Sequence, residues 1–322
     1  MPYSNGAAVY RGDLAGHVFE TADWEKGLIG SMVAPIVNVD VAEGQYPKFL
    51  KKEGQLLKRG VKARAPLGSF PRDTMSYVYD TYTCQEWGIE MPVDEVLSKK
   101  MSRFFDAELV AASQARRKLL LDYEIRVAAQ TFSTSNYDSN NSATAYTVAN
   151  LATFDVGLDV DTAKDLLISR GEGANTAVIP YQVWTRIKAS TKFQNRARGL
   201  GFSSDAILNI TPEAASEIFE LDNVYVPRCA YDGAGENVAY SSTLIWSNTY
   251  IWVGKVTPVS NPAGMLMGGA QYTLNWSAFG PPVGIFTYRD EPIKADIVRA
   301  EQNTAEKVVN TSAGTLIATQ YS

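Results

Sequence analysis

A single histidine, two cysteines and no long apolar run set the first limits on this 322-residue chain. With His17 alone, most acid–base, triad and zinc chemistry falls away, because those mechanisms recruit imidazole and often several of them. Cys84 and Cys229 lie far apart and form no CxxC pair, which argues against a disulfide scaffold or a structural zinc site and makes both buried thiols. No stretch approaches the roughly 18 apolar residues of a membrane span. The nearest, residues 27–37, reads as a short helix end followed by a strand. GxxxxGK[ST], GxSxG, HExxH and EF-hand spacings are absent. Gly171-Glu172-Gly173 follows a helical pattern rather than a strand and lacks a third glycine, so it reads as a turn and not a phosphate loop.

What is present describes a folded protein: 45% hydrophobic, 20% charged and 11% aromatic residues, with 24 Gly and 14 Pro. The length allows two domains or one elongated unit. Thirty basic against 35 acidic residues give −5, so bulk electrostatics do not make a polyanion binder, and any DNA contact must be local.

Residues 1–30 carry a weak helical period broken by Gly6, Gly12 and Gly16, which suits an arm that packs on something else. From Ile36 the pattern alternates, with Val37, Val39 and Val41 on one face, and predicts a half-buried strand. Residues 41–75 then carry eight bases against three acids, a local balance of +5 within a chain of −5. Seven Gly and Pro residues punctuate this stretch, which has too little apolar content for a core and should project. Residues 76–91, rich in Tyr, Thr and Trp, predict a returning strand. Together the two strands frame a long basic hairpin.

After Pro92, with Asp94 as a cap, the pattern predicts one helix to about Phe132, almost 60 Å long if unbroken. Residues 133–150 read as a loop. From Asp159 helices and strands alternate: a helix opened by Asp161 or Thr162, a strand at 176–179, helices after Pro180 and at Thr211-Pro212-Glu213, and a strand at 224–226. Further strands are predicted at 244–253, 271–276 and 293–298.

The basic stretch admits three readings: a solvated edge needing no partner, a nucleic-acid contact, or docking on another copy. Phe49, Phe70 and Tyr46 show no regular interleaving with the cations, which disfavours nucleic acid. Docking is favoured because residues 199–227 hold Asp205, Glu213, Glu217, Glu220 and Asp222 without one Lys or Arg, a candidate complementary surface. The candidate interface residues are Tyr46, Lys48, Phe49, Lys51, Lys52, Lys58, Arg59, Lys62, Arg64 and Arg72.

This order of parts resembles the major capsid proteins of tailed bacteriophages, a fold shared with encapsulins. The resemblance rests on Ala63-Arg64-Ala65-Pro66 and Arg72, Thr81 through Glu86, Pro92 through Glu95, Gly173 through Ile179 with Trp184 and Lys188, Thr211 through Phe219, Asn223 through Val226, and Tyr272 through Trp276. It implies an elongated α+β capsid fold. Its parts would be an N-terminal arm (1–35), an extended β-hairpin loop with its flanking strands (36–90), a peripheral domain with a spine helix and a peripheral loop (91–158), a compact α/β axial domain (159–260), and strands returning to the sheet of the peripheral domain with a C-terminal tail (261–322). It further implies a non-enzymatic virion protein, made and assembled in the host cytoplasm, that self-assembles into hexamers and pentamers of an icosahedral shell around double-stranded DNA. Phe49 and Tyr46 would then lie over a neighbour's spine helix and sheet. Implied partners are a portal, a separate scaffolding protein (expected because Met1 leads almost directly into the arm), and non-specific contact with packaged DNA, with a decoration protein left open. No membrane, cofactor or metal is implied. An activating carboxylate for lysine cross-linking finds no match.

Alternatives stay open at this stage: an encapsulin-like compartment, a carboxylate-dependent hydrolase using Asp159 and Glu217, or a DNA-binding protein using the basic stretch.

Overall fold

The computed structural model describes residues 9–14, 25, 27–48, 61–64, 66, 68–70, 72, 78–102, 106–203, 207, 209–235, 238–276 and 283–321. Two sheets organise them. The first has the order β1 (Val9–Tyr10), β13 (Gly284–Asp290), β14 (Ala295–Val308), β12 (Gln271–Asn275) and β2 (Ile36–Asn38), and β5 (Gln85–Asp94) pairs with the other side of β14. The second runs β6 (Asp138–Asn141), β15 (Gly314–Ala318), β11 (Tyr250–Gly254), β7 (Thr176–Val178) and β8 (Asn223–Tyr225). Two hairpins stand apart: β3 (Glu43–Lys48) with β4 (Val78–Thr83), and β9 (Ala230–Asp232) with β10 (Ser242–Leu244).

Among the described residues seven helices lie against these sheets: α1 (Gly30–Val33), α2 (Glu95–Met101), α3 (Ala107–Thr131), α4 (Val156–Ser169), α5 (Tyr181–Ala189), α6 (Thr191–Gly199) and α7 (Pro212–Phe219). The largest core lies between α4 to α7 and the second sheet, where Phe154, Val160, Leu167, Trp184, Ile187, Phe193, Phe219, Ile251 and Ile317 are buried together. Burial on this scale, at roughly 25 cal/mol per Å² of apolar surface, is the main stabilising term. A smaller cluster of Ala115, Leu119 and Ala300, with Trp87, Ile89 and Met91 against it, seats α3 on one face of β5 and β14.

The single long helix expected from the sequence is three elements. β5 continues through Pro92 to Asp94, a place proline tolerates because β5 is an edge strand. α2 takes seven residues, and α3 restarts at Asp106, whose carboxylate accepts the N–H groups of Glu108 and Leu109 at 3.0 and 3.4 Å. The 25 residues of α3 therefore span about 37 Å, not nearly 60. The strand expected from Ile36 ends at Asn38 and pairs in parallel with β12, so the hairpin begins later, at β3. Asp155, not Asp161 or Thr162, caps α4 by accepting the Leu158 N–H at 3.1 Å. The expected strand at 244–253 is split between β10 and β11, and the loop at 133–150 contains β6. Gly171 sits at φ 79° just past the end of α4, which confirms a turn.

The described residues near the N-terminus strap onto α3 at successive points. Arg11 lies 3.5 Å from Glu108, Leu14 packs against Ala111 and Ala112, and Arg116 grips Glu25 at 2.6 and 3.1 Å. The carboxylate of Glu124 accepts the N–H groups of Ile29 (3.0 Å) and Gly30 (2.7 Å) and the indole N–H of Trp246 (2.6 Å). The strap thus meets α3 in the same order as the helix runs. Burial pushes the Glu124 pKa up, while these three donors oppose the rise.

Candidate assembly surface

The β3–β4 hairpin is built from the inside outward. Opposed residues Tyr46 and Asp80 are joined by a 3.2 Å hydrogen bond from the phenol, and Lys48 donates to the same carboxylate at 3.1 Å. That lysine is the main reason the Asp80 pKa is lowered. Tyr46 is only 3% exposed, packed with Tyr82, Val37, Val39, Met265, Tyr272 and Leu274. The sequence reading set Tyr46 over a neighbour; its ring is instead committed to its own chain, where it roots the hairpin on the first sheet. Burial raises its pKa, with Asp80 adding to the rise.

Beyond the strands, Lys62, Arg64 and Arg72 are exposed, and the Arg64 guanidinium sits 5.1 Å from the centre of the Phe70 ring. Phe49, Lys51, Lys52, Lys58 and Arg59 lie outside the described residues. Val61 is 88% exposed, so the segment Val61-Lys62-Ala63-Arg64 presents apolar and cationic side chains to solvent alike.

Of the acidic candidates, Glu213, Glu217, Glu220 and Asp222 are exposed on or beside α7, and Asp205 lies outside the described residues. In space this surface is not purely acidic. Lys164 reaches Glu220 at 3.3 Å and Asp161 at 2.9 Å, and Arg196 pairs with Asp161 at 2.8 Å. A groove of about 470 Å³ lined by these groups with Asp165, Ile168, Gly173 and Ala174 carries mixed charge. Sequence proximity missed these bases because they come from α4 and α6.

A second acidic surface lies on β5. Glu86, Gly88, Glu90, Pro92 and Asp94 alternate with Trp87, Ile89, Met91 and Val93, and the whole even-numbered face is exposed while the odd-numbered face turns to α3. Register places Glu301 opposite Gly88 and Arg299 opposite Glu90, with Arg299 and Glu90 2.6 Å apart. Burial raises the Glu301 pKa and the charge of Glu86 raises it further. The acids at 86, 90 and 94, four residues apart and so on one face of a period-two strand, are the sequence signal for this stripe.

Nothing described supports a catalytic centre at the hydrolase candidates. Asp159 accepts a 2.7 Å hydrogen bond from the buried Tyr146 phenol, Glu217 faces solvent, and neither lines the groove. Among the described residues no cluster of three or more His, Cys, Asp or Glu is placed to hold a metal ion, and no helix is long and apolar enough to cross a membrane.

No family model matches the chain. It is 27% identical over 210 residues to the major capsid protein of Burkholderia phage BcepMu, a match covering 63% of this chain and 64% of that protein, so it spans slightly less than two thirds of the relative's length. Among solved structures it is similar to a phage-related protein of Bordetella bronchiseptica RB50, with TM-score 0.72, 20% identity and 98% of each chain covered. It is also similar to the capsid of cyanophage P-SCSP1u, with TM-score 0.55, 9% identity and coverage of 90% and 86%. A virus-like particle from Pyrococcus furiosus matches with TM-score 0.53, 13% identity and coverage of 95% and 96%. A mixed helix and sheet chain that superposes on these structures over nine tenths or more of its length has the fold of phage major capsid proteins.

Proposed function

We propose that this chain is the major capsid protein of a tailed bacteriophage, assembling with copies of itself into an icosahedral shell around double-stranded DNA. The observation that carries the reading is the agreement of a whole-chain capsid fold with a curated relative named a major capsid protein. The hairpin supports it: its strands are rooted by Tyr46 and Tyr82, and in the segment that joins them Lys62, Arg64 and Arg72 are exposed, with a charge that opposes that of the rest of the chain. A contact between unlike patches on successive copies closes into rings, which suits hexamers and pentamers. In this reading residues 1–35 are the arm, 36–90 the extended loop, 91–158 the peripheral domain with α3 as its spine, 159–260 the axial domain, and 261–322 the returning strands and tail, with β15 closing onto the second sheet. The protein is a non-catalytic component of the virion, made in the host cytoplasm, with a separate scaffolding protein and a portal as partners.

The test is electron microscopy with light scattering on the purified chain, expressed alone and with a scaffolding protein from the same phage. Uniform hollow particles are expected. A dispersed monomer under both conditions refutes assembly, and particles filled with enzyme cargo rather than DNA would favour a cellular compartment.

A further inference from the structure

The groove beside α4 has no role in the assembly reading, and another part of the chain carries a side chain that fits it. Its bases are already engaged: Lys164 bonds Asp161, Glu220 and the Phe219 carbonyl, and Arg196 bonds Asp161. Among the described residues Asp165 is thus the one lining charge with no ion-pair partner. Next to it stand Ala174 and Ile168, the latter 65% exposed, while Gly173 adds no side chain. The volume of about 470 Å³ falls within the roughly 300–1,000 Å³ usual for pockets that take a ligand. An apolar wall with one open acceptor, and cations that are already paired, suits a neutral side chain with an apolar body and a donor at its end. Tyrosine has that form. A further Lys or Arg would compete with the bases in place.

The β9–β10 hairpin presents such a side chain. In the loop between its strands Tyr240 is 73% and Val238 66% exposed, two residues apart. The root is held: the Arg228 N–H donates to the Gly27 carbonyl and the Ile245 N–H to the Cys229 carbonyl, each at 3.3 Å, and Trp246 donates to Glu124. Asp232 accepts the N–H groups of Ala234 and Ser241, both at 3.0 Å, which fixes the two sides of the loop to each other. A loop ordered in advance loses less freedom on docking. Scattered exposed apolar residues are ordinary on a protein surface. Here two adjoin on a held loop, and a third, Ile168, lies in a groove of matching chemistry. The parallel strands β7 and β8 set their places: Gly173, Ala174 and Glu220 line the groove just before these strands, and the hairpin follows β8. Groove and hairpin therefore lie off opposite ends of one strand pair, an arrangement suited to a head-to-tail contact between copies.

We propose that the groove beside α4 receives Tyr240 from the β9–β10 hairpin of a second copy, with the ring against Ile168 and Ala174, the phenol donating to Asp165, and Val238 covering the rim. The inference rests on the assembly reading and adds to it a contact that does not involve the basic loop. Being largely apolar, the contact should persist at salt concentrations that screen exposed charge pairs.

Particles of the full chain carrying Tyr240→Cys and Asp165→Cys, treated with a short bismaleimide, test it. A ladder of linked chains up to the ring size is expected on a denaturing gel, above the background that each single-cysteine variant shows from Cys84 and Cys229. Tyr240→Ala should lower particle yield by about tenfold and Tyr240→Phe by about threefold. In an Asp165→Ala chain the change Tyr240→Phe should make no further difference. Circular dichroism and urea unfolding should show each of these exposed-site variants folded like the wild type. Wild-type yield from Tyr240→Ala, or particles of the paired-cysteine chain without a ladder, overturns the contact and leaves assembly standing. If the paired-cysteine chain forms no particles, the yields of the Ala and Phe variants decide alone. If the wild type forms none with its scaffold, both readings fall together.

Discussion

Replacing Glu124 by alanine removes one acceptor and leaves three N–H donors behind, beside the Cys229 thiol at 4.0 Å. The carboxylate is 1% exposed, and the N–H groups of Ile29, Gly30 and Trp246 have it as their common partner. An orphaned buried donor costs about 1–3 kcal/mol, and the lost side chain adds a small cavity, so the variant should be destabilised by roughly 3–5 kcal/mol. Glu124→Gln keeps one oxygen but turns an amide N–H₂ toward a backbone donor, so its cost should be about 1–3 kcal/mol. The assay is equilibrium urea unfolding of the unassembled chain, with the exposed Glu217→Ala as a reference expected within about 0.5 kcal/mol of wild type. A Glu124→Ala cost below about 0.5 kcal/mol would refute the clamp. The pH dependence adds a second check. Because the folded pKa lies above the unfolded value, the native state binds the proton more tightly, and this contribution is full below the ordinary carboxylate value and is lost as pH rises through the raised one. The stability advantage of wild type over Glu124→Gln should therefore shrink with rising pH in that window; a growing advantage would contradict the sign.

Three further outcomes follow from the same contacts. Tyr46→Phe should cost about 0.5–1.5 kcal/mol through the lost bond to Asp80, and Tyr46→Ala about 3–5 kcal/mol by emptying the root of the hairpin, both read by urea unfolding. Burial and the nearby Glu124 carboxylate push the Cys229 thiol up to about 12, so alkylation at pH 8 should be about a thousandfold slower in the native than in the unfolded chain; equal rates would sink this. Reversing Lys51, Lys52 and Lys58 to Glu should leave the monomer folded by circular dichroism yet block particle formation, and normal particles would exclude a docking role for those lysines.

Elements with strong local signals were legible in the sequence. Thr211 before Pro212 marked α7, where its hydroxyl accepts the Ala214 N–H at 3.3 Å, and the Tyr and Thr run of 76–91 marked extended chain, although the one strand expected there is two, β4 and β5, broken at Cys84 and paired in different sheets. The 25 residues of α3 were readable as a helix, but its start was not, because Asp106 competes with Asp94 as a cap and only tertiary pairing of Pro92 with Ile297 decides between them. α6 escaped notice because only two of its nine residues, Phe193 and Ala197, are apolar and buried, too few to announce a helix among its polar and basic neighbours. Much of β14 did as well, since its second half reads as polar: Gln302 and Thr304 are buried in the sheet, not exposed. At the surface the basic segment was evident from composition. The fate of Tyr46 and the neutralising bases beside α7 were not, as both depend on contacts between residues distant in sequence.

The most direct measurement is a cryo-electron microscopy map of particles formed by this chain. The account predicts closed shells in which residues 61–64 of each copy lie on an adjoining copy. Shells whose basic loops extend into solvent without touching another copy, or a chain that remains monomeric beside its scaffold, would contradict it.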